Sequence, residues 1–132
     1  MEFSDSQAIY LQIADHFCEN ILLRKWKEGD RIPSVREIAI SIEVNPNTVM
    51  RTYNYLQEKG IIFNKRGIGY FVGENGYEKT RILRKEEFVS QELPRFFRAL
   101  SLLDLTMDDV TAYHRDYMKN NKTGSESGIP SN

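Results

Sequence analysis

Residues 45–59 read NPNTVMRTYNYLQEK and are followed by Gly60. The stretch carries both its start and its stop. Asn45 is a good N-cap, and Pro46 fits the first helical position, where a missing N–H costs nothing. Gly60 fits the left-handed position that closes a helix. Val49, Tyr53 and Leu56 recur at three- to four-residue spacing, so they point into a core. Asn47, Thr48, Arg51 and Asn54 fall elsewhere on the helix. They are short hydrogen-bonding side chains plus one Arg, concentrated in the first half. Such a set can read base edges from a helix N-terminus laid in a DNA major groove. An amphipathic helix with a solvated polar face accounts for the same residues, so the surroundings decide.

The whole chain has 132 residues, of which 40% are hydrophobic and 28% charged, as in an ordinary globular protein. No apolar run approaches the roughly 18–20 residues of a membrane helix. The opening MEFSDSQAIY lacks the basic and apolar regions of a secretory signal. A single cysteine, Cys18, excludes an intrachain disulfide and any cysteine-cluster metal site. These features place the expected compartment in the reducing cytoplasm, with no membrane partner, no metal and no cofactor. Net charge is −1, so any attraction to DNA must be local. Residues 24–73 hold nine Lys/Arg against five acids, whereas residues 74–132 hold nine against ten. The positive excess therefore surrounds the 45–59 helix.

Upstream, Ser6 to about Lys25 reads as a first helix, with Ile9, Tyr10, Ile13, Ala14, Phe17, Cys18, Ile21 and Leu22 in one wide stripe. Asp5 or Ser6 is placed to cap it. Cys18 lies in the stripe and reads as a small buried hydrophobe. His16 lies off it and has no ligand-spaced partner. Gly29-Asp30 makes a turn, followed by a short extended piece to Ile32 and Pro33. Ser34 and Glu37 form a capping box for a second helix running to about Ile42, with Val35, Ile38, Ala39 and Ile42 inward. Glu43-Val44 links it to Asn45. Two short helices so arranged predict a helix-turn-helix. After Gly60 the period changes. Ile61–Phe63 and Gly69–Val72 are strand-like, and Asn64-Lys65-Arg66-Gly67 turns between them. This is a hairpin with a basic tip, a wing, whose Lys65 and Arg66 are placed for phosphate or minor-groove contact.

Glu74 to Gly76 reads as a hinge. Residues 77–103 form a long charged amphipathic segment that Pro94 kinks or interrupts. Thr106 and Asp109 form a second capping box, opening a helix to about Lys119; His114 on it reads as a surface residue. Residues 121–132, polar and Gly/Ser-rich, read as a disordered tail. Two helices of this length are too small to bury a core alone, yet they carry Phe88, Leu93, Phe96, Phe97, Leu100, Val110, Tyr113 and Tyr117. That surface packs either on the N-terminal domain or on a second copy. A two-fold dimer also sets two recognition helices one DNA turn apart, and is favoured here. The expected fold class is mostly α with a small β-hairpin. The domains are a winged helix-turn-helix over 1–76, a two-helix dimerisation segment over 77–120, and the tail.

Three motifs, GDRIPSVREIA (29–39), VNPNTVMRTYNYLQEKGII (44–62) and RGIGYFV (66–72), occur in the order found in the GntR family of bacterial transcription regulators. The chain resembles that family over roughly residues 5–73. The short two-helix tail looks like the YtrA-like subfamily. What the resemblance implies is a dimeric DNA-binding regulator, usually a repressor. By the same resemblance Arg36 matches an Arg that contacts phosphate or base. Asn45 and Asn47 match polar positions opening the recognition helix, and Thr48 a backbone-contacting Thr. Arg66 and Gly67 match the wing-tip pair reaching the minor groove. Many members carry Arg where this chain has Pro46 and Met50; here the Arg stands one place later, at Arg51, rotated by about 100°.

The function expected is a sequence-specific regulator, a homodimeric repressor on an inverted-repeat operator in double-stranded DNA. A winged-helix protein-interaction module without specific DNA binding is the alternative. An enzyme is not expected, since no nucleophile–base arrangement, paired carboxylates or phosphate loop occurs. A small-molecule effector, if there is one, must bind between the tail and the DNA-binding domain or at the dimer interface.

Overall fold

The computed structural model describes residues 1–121. The tail expected over 121–132 therefore lies, but for its first residue, outside the described residues. Two compact units follow one another, Met1–Arg84 and a second beginning at Lys85.

In the first unit, α1 (Ile9–Leu22) buries Ile13, Ala14, Phe17, Cys18 and Ile21. It is shorter than the expected Ser6–Lys25. Neither Asp5 nor Ser6 caps it; Ala8 is the N-cap and provides no side-chain bond. The entry is fixed from within the helix. The Gln12 amide donates to Ser4 O at 2.8 Å and Gln7 O at 2.7 Å, and its oxygen accepts from Ser4 N at 2.9 Å. The exit is early because the Lys25 and Trp26 N–H groups both turn back to Asn20 O. Trp26 thereby returns to Phe17, with ring centroids 5.0 Å apart.

Helix α2 (Val35–Ile42) opens on the expected capping box. Ser34 Oγ accepts from Glu37 N at 3.0 Å, and Glu37 Oε1 accepts from Ser34 N at 2.8 Å. Those bonds to Ser34 hold the Glu37 carboxyl below its ordinary range. Helix α3 (Pro46–Glu58) has Asn45 as N-cap and Pro46 in its first turn. Val49, Tyr53 and Leu56 are each fully buried, worth roughly 1.5–3 kcal/mol apiece against exposure. The helix ends as a Schellman motif. Ile61 N donates to Leu56 O, Gly60 N donates to Gln57 O, and Gly60 takes φ +74. Leu56 and Ile61, which meet across this cap, are both in the core.

Strands β1 (Ile62–Lys65) and β2 (Gly69–Val72) pair antiparallel, from Ile62 opposite Val72 to Lys65 opposite Gly69. The turn is thus Arg66–Ile68, tighter than the expected Asn64–Gly67, because Asn64 and Lys65 remain in the ladder. The Gly29–Ile32 piece lies along the other edge of β2. Gly29 N donates to Val72 O, Val72 N to Asp30 O, and Ile32 N to Tyr70 O, each at 2.9 Å. The hairpin is therefore braced on both sides of β2.

The Glu74–Gly76 junction is packed, not a hinge. Gly76 is buried, and a Cβ there would stand 2.7 Å from Val72 Cγ1. Helix α4 (Gly76–Glu87) begins at once, with Thr80 buried and its hydroxyl donating to Gly76 O at 2.7 Å. Tyr77 and Leu83 pack on the core. Arg84 pairs with Asp15 of α1. The first compact unit consequently runs past Gly76.

In the second unit, a π-helical turn (Phe88–Glu92) precedes α5 (Leu93–Leu102), and α6 (Met107–Asn120) follows. Pro94 is the cause of the interruption. It has no N–H for the ordinary bond to residue 90, and Leu93 N reaches back to Phe88 O. The Thr106/Asp109 capping box opens α6 as expected. Leu100 is buried within this unit, and Leu93, Leu105 and Val110 are half-buried.

Candidate nucleic-acid interface

Tyr53 organises the side of the first unit that carries the expected DNA-facing residues. Its ring meets Phe17 of α1 at 5.4 Å and Tyr70 of β2 at 4.7 Å, both edge-on. Its hydroxyl donates to Pro33 O, just ahead of α2. Burial pushes the phenol well above its ordinary range, so it stays protonated and donating. One buried side chain thus fixes α1, the entrance to α2, α3 and the wing in relation to one another. The sequence shows it only as one more core position.

The expected DNA-facing residues divide by place. Asn45 uses its side-chain oxygen on Asn47 N at 2.7 Å, which leaves its NH2 group to donate outward. Asn47 is exposed and Thr48 half-buried in the first turn of α3. Arg36 is exposed in the first turn of α2. Lys65 is the last residue of β1, with Nζ 5.4 Å from the centre of the Phe71 ring. Arg66 and Gly67 form the exposed tip, where Gly67 takes φ +78 in a turn closed by Ile68 N donating to Lys65 O at 2.8 Å. Any other residue there would be strained.

Arg51 stands apart from the wing. Its guanidinium lies over the Tyr10 ring of α1, 4.0 Å from the centroid. It lines a shallow cleft with Tyr10, Asn54, Tyr55, Gln57 and Glu58. Beside it, Thr52 is fully buried and its hydroxyl donates to Tyr10 O at 2.7 Å. Arg51 is therefore carried on the α1 edge of α3.

Four further residues lie beside these, Tyr70, Met50, Arg31 and Gly69. Tyr70, opposite Asn64 in the hairpin, directs its hydroxyl at Met50 Sδ across 4.0 Å, which sets the wing beside the exposed face of α3. Arg31 lies against Gly69, where a Cβ would stand 2.9 Å from its Nε. Gly69, at φ +146, is what lets that guanidinium cross the wing. Only tertiary pairing brings Arg31 to β2, so no local pattern announces it.

The arrangement offers hydrogen-bond donors, acceptors and cations on an exposed helix start and hairpin tip. Among the described residues, no group of three His, Cys, Asp or Glu is placed to hold a metal, and no helix is long and apolar enough to cross a membrane.

Comparison with known proteins agrees with this geometry. Residues 9–72 match the family model for bacterial regulatory proteins of the gntR family. The helix-turn-helix-type transcriptional regulator YhcF of Bacillus subtilis is 36% identical over 109 residues, 83% of this chain and 88% of that protein. The transcriptional repressor YtrA of the same organism is 40% identical over 88 residues, 67% of each chain. A crystal structure of a GntR-family protein from Bacteroides thetaiotaomicron superposes with a TM-score of 0.71 at 45% identity, covering 86% of this chain and 98% of that one. These relatives are regulators, not enzymes. The chain is a DNA-binding helix-turn-helix transcription regulator of the GntR family, and its short region after the winged helix fits the YtrA-like subfamily.

Proposed function

We propose that this regulator is a homodimeric repressor that reads an inverted-repeat operator. The observation carrying the proposal is the exposed polar opening of α3, held against the wing by the Tyr53–Tyr70 contact. In this reading α3 enters the major groove. Asn45, Asn47, Thr48 and Arg51 meet base edges and adjacent phosphates, Arg36 positions the module, and Lys65, Arg66 and Gly67 grip at the wing. The similarity to YtrA, a repressor by name, supports repression.

Dimerisation is assigned to the helical segment after the winged helix. Phe88, Phe96, Phe97, Tyr113 and Tyr117 are 40–66% exposed there. Such a concentration of exposed rings in so short a segment fits a self-complementary interface. Leu93 and Val110 border it, and Leu100 supports it from inside its own unit. A small-molecule effector, where one acts, is placed at the same segment. The compartment is the cytoplasm, where the chromosome is.

The test is selection of bound sequences from random duplex DNA, followed by titration of the enriched site against scrambled DNA at several salt concentrations. Enrichment of an inverted repeat, bound by a dimer more tightly than scrambled DNA by about 10³-fold or more, is expected. Absence of any enriched site, with weak and salt-sensitive binding only, overturns it.

A further inference from the structure

The exposed face of α3 is not uniformly polar. At about 100° per residue, Asn47, Arg51 and Asn54 occupy its centre and its α1 edge. Met50 occupies the opposite edge, beside the wing. It is 38% exposed, and the Tyr70 hydroxyl is directed at its sulfur across 4.0 Å. Pro46, one turn earlier on the same edge, is also exposed. Together they make a short apolar strip next to Asn47, on the helix that carries the donors and acceptors. An exposed thioether does nothing for the core, where Val49, Tyr53 and Leu56 are already fully buried.

In the major groove only one base-pair feature is apolar, the C5-methyl of thymine. We infer that Met50 is a specificity-determining residue that packs on a thymine methyl of the operator, with Pro46 alongside and the Tyr70 hydroxyl steadying the thioether. The inference rests on the reading of α3 as the major-groove helix. It adds a base preference that the polar residues alone do not give. A flexible, polarisable side chain adapts well to a methyl whose position varies with local DNA geometry.

The experiment uses the full chain and the selected operator. Each thymine of one half-site is replaced in turn by deoxyuridine, which removes the methyl and leaves the pairing unchanged. Wild-type protein is expected to lose about fourfold in affinity at one position, the value of one buried methyl-sized group. Met50→Ala is expected to be nearly indifferent to the same replacement. Met50→Leu, which keeps an apolar group there, is expected to retain the methyl sensitivity. A merely structural Met50 would weaken binding to both DNAs alike and leave the ratio unchanged. The inference is overturned if no position is methyl-sensitive, or if Met50→Ala loses as much as wild type at the sensitive one. Failure to enrich any operator overturns the underlying reading as well, and so is distinguishable.

Discussion

Glu43 is one of four non-glycine residues held at positive φ among the described residues. It closes α2 in the left-handed conformation, at φ +56, and Val44 N then donates to Ala39 O at 3.1 Å. This is the turn between the two helices, and its angle aims α3. A side chain with a Cβ costs roughly 1–2 kcal/mol in that conformation. Glu43→Gly should remove the strain while adding freedom to the unfolded chain. A net gain of about 0.5–1 kcal/mol in urea unfolding is expected; a loss would mean that the Glu side chain itself holds the turn. The sequence shows this residue only as part of a two-residue link, because nothing local marks a Glu that must turn left. Gly60 and Gly67, by contrast, are legible, since glycine announces the same conformation. Arg51 is legible as a cation on the outer face but not as a group stacked on Tyr10, which belongs to a different helix. Tyr10→Leu should therefore weaken operator binding by releasing that guanidinium. Unchanged affinity at moderate salt would show that the stack does not position Arg51.

At the scale of elements, capping boxes and core stripes were readable because each is a local pattern; the edges were not. Helix α1 is shortened by Gln12 and Asn20 bonds, and the wing turn is tightened by a ladder that keeps Lys65 paired. Helix α4 is the clearest case. Its sequence looks like the start of the C-terminal segment, yet Thr80, Tyr77 and Leu83 belong to the first core, and Arg84 reaches Asp15 of α1. Burial raises the Asp15 carboxyl above its ordinary range, and Arg84 pulls it part of the way back. A raised carboxyl favours its protonated form in the folded state. The ionised group thus opposes folding at neutral pH, and that cost shrinks as pH falls below the folded value and is gone below the ordinary carboxyl value. Arg84→Met keeps the stem and removes the compensating charge, so the carboxyl rises further. The variant should be less stable at neutral pH by about 1 kcal/mol or less, since solvent screens a pair in which each side chain is 36% exposed. The deficit should shrink on acidification as Asp15 takes up its proton. An equal deficit at both pH values, in urea midpoints, would assign the loss to packing instead.

For the whole molecule, the winged helix was legible in the sequence and the place where it ends was not. That difference decides how the dimer proposal is tested. A cut after Gly76 strips from the first unit Tyr77 and Leu83, which pack on its core, and Thr80, which is fully buried. A loss of binding would then report unfolding as readily as lost dimerisation. A cut after Arg84 keeps the complete compact unit, including the Asp15 pair, and removes the segment whose aromatic residues are exposed. This shorter chain is expected to unfold cooperatively, to sediment as a monomer, and to keep its affinity for an isolated half-site. For the inverted repeat it should lose about 10²–10⁴-fold, because the second half-site no longer benefits from the high effective concentration that a tethered partner provides. A dimer in the ultracentrifuge would place the two-fold contact on the winged helix itself. A monomer with full affinity for the inverted repeat would mean that the two sites are read independently, and that the exposed rings after Lys85 serve some other partner.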